Sequence, residues 1–163
     1  MQAIVAVDEK WGIGKNGALL FHISADLKRF KQLTLGGTVI YGHKTLETFP
    51  GGRPLKGRSN IVLSRDVQLQ VPDAVVCHSV AQAAAMVAGK AEVFVIGGTS
   101  IYNAFLPLCE TVHVTKVAAD GGADCIFPNL DEDPAWAVAE ALPPQQENGL
   151  TYQYVTYQRV ARG

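Results

Sequence analysis

The sequence predicts a single α/β domain built on a mostly parallel, twisted sheet, with an antiparallel hairpin at its C-terminal edge. Three observations carry this expectation. Apolar runs of strand length recur between helical or glycine-rich segments. The runs are nearly continuous, as in strands covered on both faces. The last third changes character: 143–149, Pro-Pro-Gln-Gln-Glu-Asn-Gly, is a turn-rich connection, and 151–160 alternates as an antiparallel strand does.

In chain order, the apolar run 3–7 is the first strand, and a helix over 25–33 follows with Ser24 as its N-cap. Strand 38–41 leads through Gly42 into a helix over 44–49. Strands 60–63 and 74–76 precede a helix over 80–88, and strand 92–96 leads through Gly97-Gly98-Thr99 into a helix over 100–106. Strand 111–117 closes this rhythm, and the edge strand 151–160 is expected to pair with 136–140. No internal repeat, low-complexity segment or linker divides the 163 residues, so one domain spanning 1–163 is expected.

Composition agrees and excludes several classes. A chain 48% apolar and 18% charged is that of a soluble globular domain, and at this size it buries roughly 70% of its unfolded surface. Fourteen basic against fifteen acidic residues leave a net charge of -1, which offers nucleic acid or an anionic membrane no footprint. Any anion must be bound locally. No apolar run reaches the roughly 18 residues of a membrane span, and Met1-Gln2-Ala3 lacks a signal-peptide pattern, so a cytoplasmic location is expected. Cys77, Cys109 and Cys125 form no C-x-x-C pair and are expected to be reduced and mostly in or near the core. His22, His43, His78 and His113 lack metal-ligand spacing, and no G-x-S-x-G elbow occurs; no metal is expected.

One motif is a decoy. Gly52-Arg53-Pro54-Leu55-Lys56-Gly57-Arg58-Ser59 nearly spells a phosphate-binding G-x-x-x-x-G-K-S loop. That loop must leave a strand and open a helix, whereas here a short helix precedes and a strand follows. The turns at Gly42-His43-Lys44-Thr45 and Gly97-Gly98-Thr99-Ser100 have the right context, with glycine where backbone must come close and helix N–H groups where an anion can sit. Neither is a G-x-G-x-x-G fingerprint. Taken with Ser64-Arg65 ending a neighbouring strand, they point to a phosphorylated cofactor spanning both.

The most informative segment runs from Gly14 to Lys31. Asp26 in the first turn of its helix shares about 100° of arc with Leu27 and Phe30. A carboxylate on an apolar face, following Leu19-Leu20-Phe21, needs a partner, and a heterocycle with two N–H donors supplies one. The plainer alternative is that Asp26 only complements the helix dipole.

The order and spacing of Ile13-Gly14-Lys15-Asn16-Gly17, Asp26-Leu27 with Phe30, Gly42-His43-Lys44-Thr45, Gly52-Arg53-Pro54-Leu55 with Gly57-Arg58, Ile96-Gly97-Gly98 with Tyr102, Thr115 and Phe127-Pro128 resemble dihydrofolate reductase over essentially the whole chain. The resemblance implies an eight-stranded sheet with four main helices, NADPH as hydride donor and dihydrofolate as acceptor. It places Asp26, with Thr115 and Phe21, at the catalytic centre. It assigns the folate pocket to Ile4, Val5, Ala6, Leu27, Phe30, Phe49, Leu55, Ile96 and Tyr102, with Arg58 pairing the glutamate α-carboxylate.

For the cofactor, the resemblance implies Ala6 and Ile13 near the nicotinamide, and Gly97, Gly98, Thr99, Ser100 and Ile101 at the pyrophosphate. Gly42, His43, Lys44, Thr45, Leu63, Ser64, Arg65 and His78 fall at the adenosine end and its 2′-phosphate. The expected partners are dihydrofolate and antifolate-like small molecules, with no nucleic acid, no membrane, and a monomer. The chain departs from the family at Leu19-Leu20-Phe21, where Leu-Pro-Trp is usual, at Ser24, where proline is common, and at Leu46, where tryptophan is common. The alternatives are a reductase of the same fold acting on a pyrimidine intermediate of flavin synthesis, and a non-catalytic nucleotide-binding module. Asp26 together with Arg58 favours a folate.

Overall fold

The computed structural model describes residues 1–15 and 18–160; Asn16 and Gly17 of the expected active-site loop lie outside the described residues. A central parallel sheet forms from β1 (Gln2–Val7), β3 (Thr38–Gly42), β4 (Ser59–Leu63), β5 (Val75–Cys77), β6 (Val93–Gly97) and β7 (Thr111–Val117). Strand β11 (Leu150–Arg159) lies antiparallel to β7 and, with β10 (Gln145–Glu147) beyond it, gives the order β10-β11-β7-β1-β6-β3-β4-β5, with β9 (Trp136–Ala141) also pairing β11. The expected pairing of 136–140 with the last strand is present, Thr156 facing Glu140 and Arg159 facing Trp136.

Two short features escaped the sequence reading. The turn-rich connection contains a strand of its own, β10 (Gln145–Glu147), closed onto β11 through Asn148 (φ 51°) and Gly149 (φ 78°), the positive pair a two-residue hairpin demands. A separate two-stranded sheet joins β2 (Gly12–Gly14) to β8 (Cys125–Ile126). Strands of three and two residues carry no readable periodicity. Buried Asp8 ties this sheet down, accepting N–H bonds from Lys10, Gly12 and Gly121 at 2.8, 2.7 and 3.0 Å. A Cβ at Gly12 would stand 2.4 Å from the Ala123 Cβ, so only glycine passes there.

Four α-helices occur among the described residues: α1 (Ser24–Thr34), α2 (His43–Leu46), α3 (Val80–Val87) and α4 (Thr99–Phe105). α2 is shorter than the expected 44–49 because Thr48 and Phe49 close i to i+3 turns before the 3-10 turn Pro50–Gly52. None is long and apolar enough to cross a membrane. The start of α1 corrects one expectation. Ile23, in extended conformation, holds the N-cap position, and Ser24 is the first helical residue. Ser24 N and Oγ and Ala25 N donate to the Glu147 carboxylate at 2.6, 2.9 and 3.1 Å. Those donors hold Glu147 below the usual glutamate range, so this cap is complete at neutral pH and is lost as acid protonates it.

Alternation along β1 divides the core. Ala3, Val5 and Val7 point into the larger cluster, with Val95, Val114 and Phe105, while Ile4 packs on the other face with Phe94 and Tyr41. α1 stands on that second face, where Ile23 and Ala25 meet Val117, Tyr152 and Tyr154.

Candidate active site

The first turn of α1 brings Asp26 down onto β7, where the Thr115 hydroxyl donates to its Oδ1 at 2.6 Å. Thr115 is buried and is the register partner of Ala6 on β1 and of Tyr154 on β11. Burial pushes the Asp26 carboxyl above its ordinary value, opposed by the Thr115 hydrogen bond and by the positive charge of Arg29. Ile4 and Ala6 on β1, Ile96 on β6 and Phe30 on α1 are all half-buried. Leu27 remains 43% exposed. Phe49 stands edge-on to Tyr41, ring centroids 4.9 Å apart, and both Phe49 and Leu55 pack on this side of the sheet.

Tyr102, from α4, crosses to β1 and donates to the Ile4 carbonyl at 2.6 Å. The Val5 side chain belongs to the larger core cluster, on the opposite face of β1 from Ile4. Phe21 is half-buried against Ile23, Val117, Tyr152 and Tyr154, beside α1.

Arg58 sits at the other end of α1. Its Nη1 donates to Thr34 Oγ1 at 3.2 Å and its Nε to the Lys56 carbonyl at 2.9 Å. Thr34 in turn donates to the Phe30 carbonyl at 2.8 Å. Two of the three guanidinium nitrogens are thus engaged by the protein. Thr34 lies about 12 Å beyond Asp26 along the axis of α1, at about 1.5 Å per residue. The carboxylate and the cation therefore stand at opposite ends of α1.

Sequence reasoning missed the residue that shapes the Arg58 turn. Asn60, buried at the start of β4, accepts from Leu55 N and Tyr41 Oη at 3.0 and 2.8 Å. It donates to the Leu55 and Arg58 carbonyls, both at 2.9 Å. The decoy motif is therefore a turn organised by one amide, not a phosphate loop. An asparagine inside an apolar strand was the available signal. Asn60→Leu is expected to destabilise the protein by about 1–3 kcal/mol for each backbone group left buried without a partner, measured by denaturant unfolding.

The two glycine turns come together because β3 and β6 are neighbours, with Tyr41 paired to Gly97. A Cβ at Gly42 would meet Ile101 Cγ1 at 3.2 Å, and one at Gly97 or Gly98 would lie 3.5 or 3.7 Å from Thr45 Oγ1. Gly97 also has φ +133°, a backbone that a side chain resists. Next to them end β4 and β5, in register at Leu63 and Cys77. His43, Lys44, Arg65 and His78 are exposed at these adjoining strand ends, and His78 Nδ1 lies 2.9 Å from the Ser64 carbonyl. Ile13 and Leu63 pack against the larger core, Thr99 is half-buried and Ser100 is exposed. Ligands of open parallel sheets bind outside such carboxyl ends.

Comparison with known proteins agrees with this geometry. The family model described as dihydrofolate reductase matches residues 1–159. A dihydrofolate reductase of Staphylococcus haemolyticus is 35% identical over 159 residues, covering 96% of this chain and 94% of that protein. One from Neisseria meningitidis serogroup A is 36% identical over 157 residues, 96% of each. The solved structure of dihydrofolate reductase from Enterococcus faecalis, complexed with NADP(H) and RAB-propyl, superposes with a TM-score of 0.87 at 33% identity, covering 97% of this chain and 95% of that one. A family match over nearly the whole chain, relatives of matching length and a shared fold lead to one conclusion: the chain belongs to the dihydrofolate reductase family.

Proposed function

We infer that the protein reduces 7,8-dihydrofolate to 5,6,7,8-tetrahydrofolate with NADPH. The observation that carries this reading is the half-buried Asp26 in the first turn of α1, bonded to Thr115 at 2.6 Å, with Arg58 bonded to Thr34 at the far end of the same helix. The carboxylate would accept from the 2-amino group and N3 of the pterin, with Thr115 fixing its orientation. Ile4, Ala6 and Ile96 would face the pterin and nicotinamide, and Leu27, Phe30, Phe49 and Leu55 would keep bulk water from the reacting bond. The remaining N–H groups of Arg58 would pair the glutamate α-carboxylate. When bound, NADPH supplies the hydride that C6 receives. Asp26 polarises the ring, and the proton reaches N5 through water.

Gly42, Thr45, Gly97 and Gly98 form a cradle that a Cβ would fill, which suits a pyrophosphate, and Thr99, Ser100 and Ile101 continue it. His43, Lys44, Ser64, Arg65 and His78 would surround the 2′-phosphate. The reading carries with it a cytoplasmic monomer that also binds folate-like inhibitors. Purified protein is expected to oxidise NADPH only when dihydrofolate is added; oxidation that ignores dihydrofolate would refute the reading.

Cofactor choice follows from the same charges. The strand-end positions 43, 44, 64, 65 and 78 carry His, Lys, Ser, Arg and His and no acid to receive a free ribose 2′-hydroxyl, so NADPH is expected over NADH, with added salt narrowing the gap. Arg65→Ala should weaken NADPH binding about fivefold, roughly 1 kcal/mol for an exposed charge contact, and leave NADH binding unchanged in fluorescence titrations.

A further inference from the structure

α1 carries a second charged residue on the side of Asp26, one that the chemistry above leaves unused. Arg29 follows Asp26 by nearly one helical turn, so the two side chains are neighbours on the helix surface. The Arg29 guanidinium carbon stands 4.0 Å from the centroid of the Tyr154 ring. Tyr154 is buried and is the direct cross-strand partner of Thr115, whose hydroxyl donates to Asp26. Cation, ring, hydroxyl and carboxylate thus form one cluster across α1, β11 and β7.

An arginine free in solvent exerts little on a neighbour, because water and salt screen it. Stacking on a buried ring restrains this one on the Asp26 side of α1. We propose that Arg29, held over Tyr154, is a positioning residue that keeps the Asp26 carboxylate charged and available to the pterin. The proposal rests on the folate reading of the site.

The other ionisable groups around Asp26 do not take this role. On β7, His113 bonds Gln2 Oε1 at 2.6 Å through Nε2, and burial followed by the Arg29 charge favours its neutral form. On β11 stand Tyr152 and Tyr154, and on α4 stands Tyr102, whose phenol burial raises. Glu147 on β10 is engaged at the first turn of α1, while His22, Lys28 and Lys31 are exposed. Arg29 alone among the charged side chains pulls Asp26 toward its ionised form, together with the Thr115 hydroxyl.

The test titrates Asp26 in the apo enzyme by NMR of isotope-labelled aspartate side chains, its signal identified by its loss in Asp26→Asn. Arg29→Gln should move the Asp26 titration upward by about one pH unit, the lower end of the ~1–3 units that a neighbouring opposite charge exerts. The pH profile of kcat/KM for dihydrofolate should move the same way. Arg29→Met gives the same comparison should the glutamine variant fail to fold. Arg29→Lys should restore at least half of the displacement, and Tyr154→Phe, which keeps the ring, should leave the titration in place. Three results would overturn the proposal: an unmoved Asp26 in the neutral variants, a lysine variant displaced as far as they are, or a phenylalanine variant that reproduces their shift. Because the titration needs no turnover, its outcome is separate from that of the folate reading, which the NADPH oxidation assay decides.

Discussion

Asp26→Asn is expected to lower hydride transfer at neutral pH by about 10²–10³-fold, the range for losing one group that stabilises developing charge, while NADPH still binds. Asparagine keeps the size of the side chain and can still accept from Thr115. It cannot offer the pterin a negative charge. Rate should partly recover in acid, where the substrate is protonated from solution, and single-turnover measurements across pH would show this. Near-normal turnover at neutral pH would return Asp26 to the role of a helix-dipole partner.

The same substitution should raise stability. Because burial raises the Asp26 pKa in the folded state, the folded protein binds its proton more tightly than the unfolded chain does. The resulting stabilisation is complete below the ordinary aspartate range and declines as pH rises through the folded-state pKa. At neutral pH the buried charge is a net cost that asparagine removes. Asp26→Asn should therefore melt above the parent at neutral pH, with the advantage vanishing in acid. An active-site carboxylate that destabilises its own fold is a sign that binding, not packing, retains it.

Arg58→Lys is the second large effect expected. A planar fork pairs both oxygens of a carboxylate, whereas an ammonium presents a point charge. Losing one such charge-assisted pair costs about 1.5–3 kcal/mol, roughly a 10- to 150-fold rise in the Kd for dihydrofolate. A pteridine lacking the glutamate should bind the variant as it binds the parent. Nη1 and Nε already bond Thr34 and the Lys56 carbonyl, so thermal melts must accompany the titrations. Equal losses for both ligands would assign Arg58 to the fold instead.

Most strands were legible because a buried parallel sheet forces runs such as 38–41 and 93–96 to be apolar almost throughout. Asp26 was legible for the converse reason, as a charge on a helix face shared with Leu27 and Phe30. Ser24 misled because N-cap preference is a local rule, and Glu147 supplied the cap from across the sheet. Neighbours on a strand point to opposite faces, so Val5, with its side chain in the larger core, can offer a ligand only its backbone. Asn60 and Asp8 went unread as anchors, since their partners are turns whose approach no spacing encodes.

By itself the sequence determined the α/β class, the strand and helix order, the edge strand pairing with 136–140 and the family, all of which follow from local periodicity, turn chemistry and ordered motifs. Tertiary structure alone decided which distant groups meet: Thr115 with Asp26, Thr45 with Gly97 and Gly98, Thr34 with Arg58, and Arg29 with the ring beside Thr115. Periodicity reports which face of an element is apolar and is blind to what lies across the gap. Strand order and register set those distances, and through them whether a carboxylate is charged and an arginine fork is free to bind.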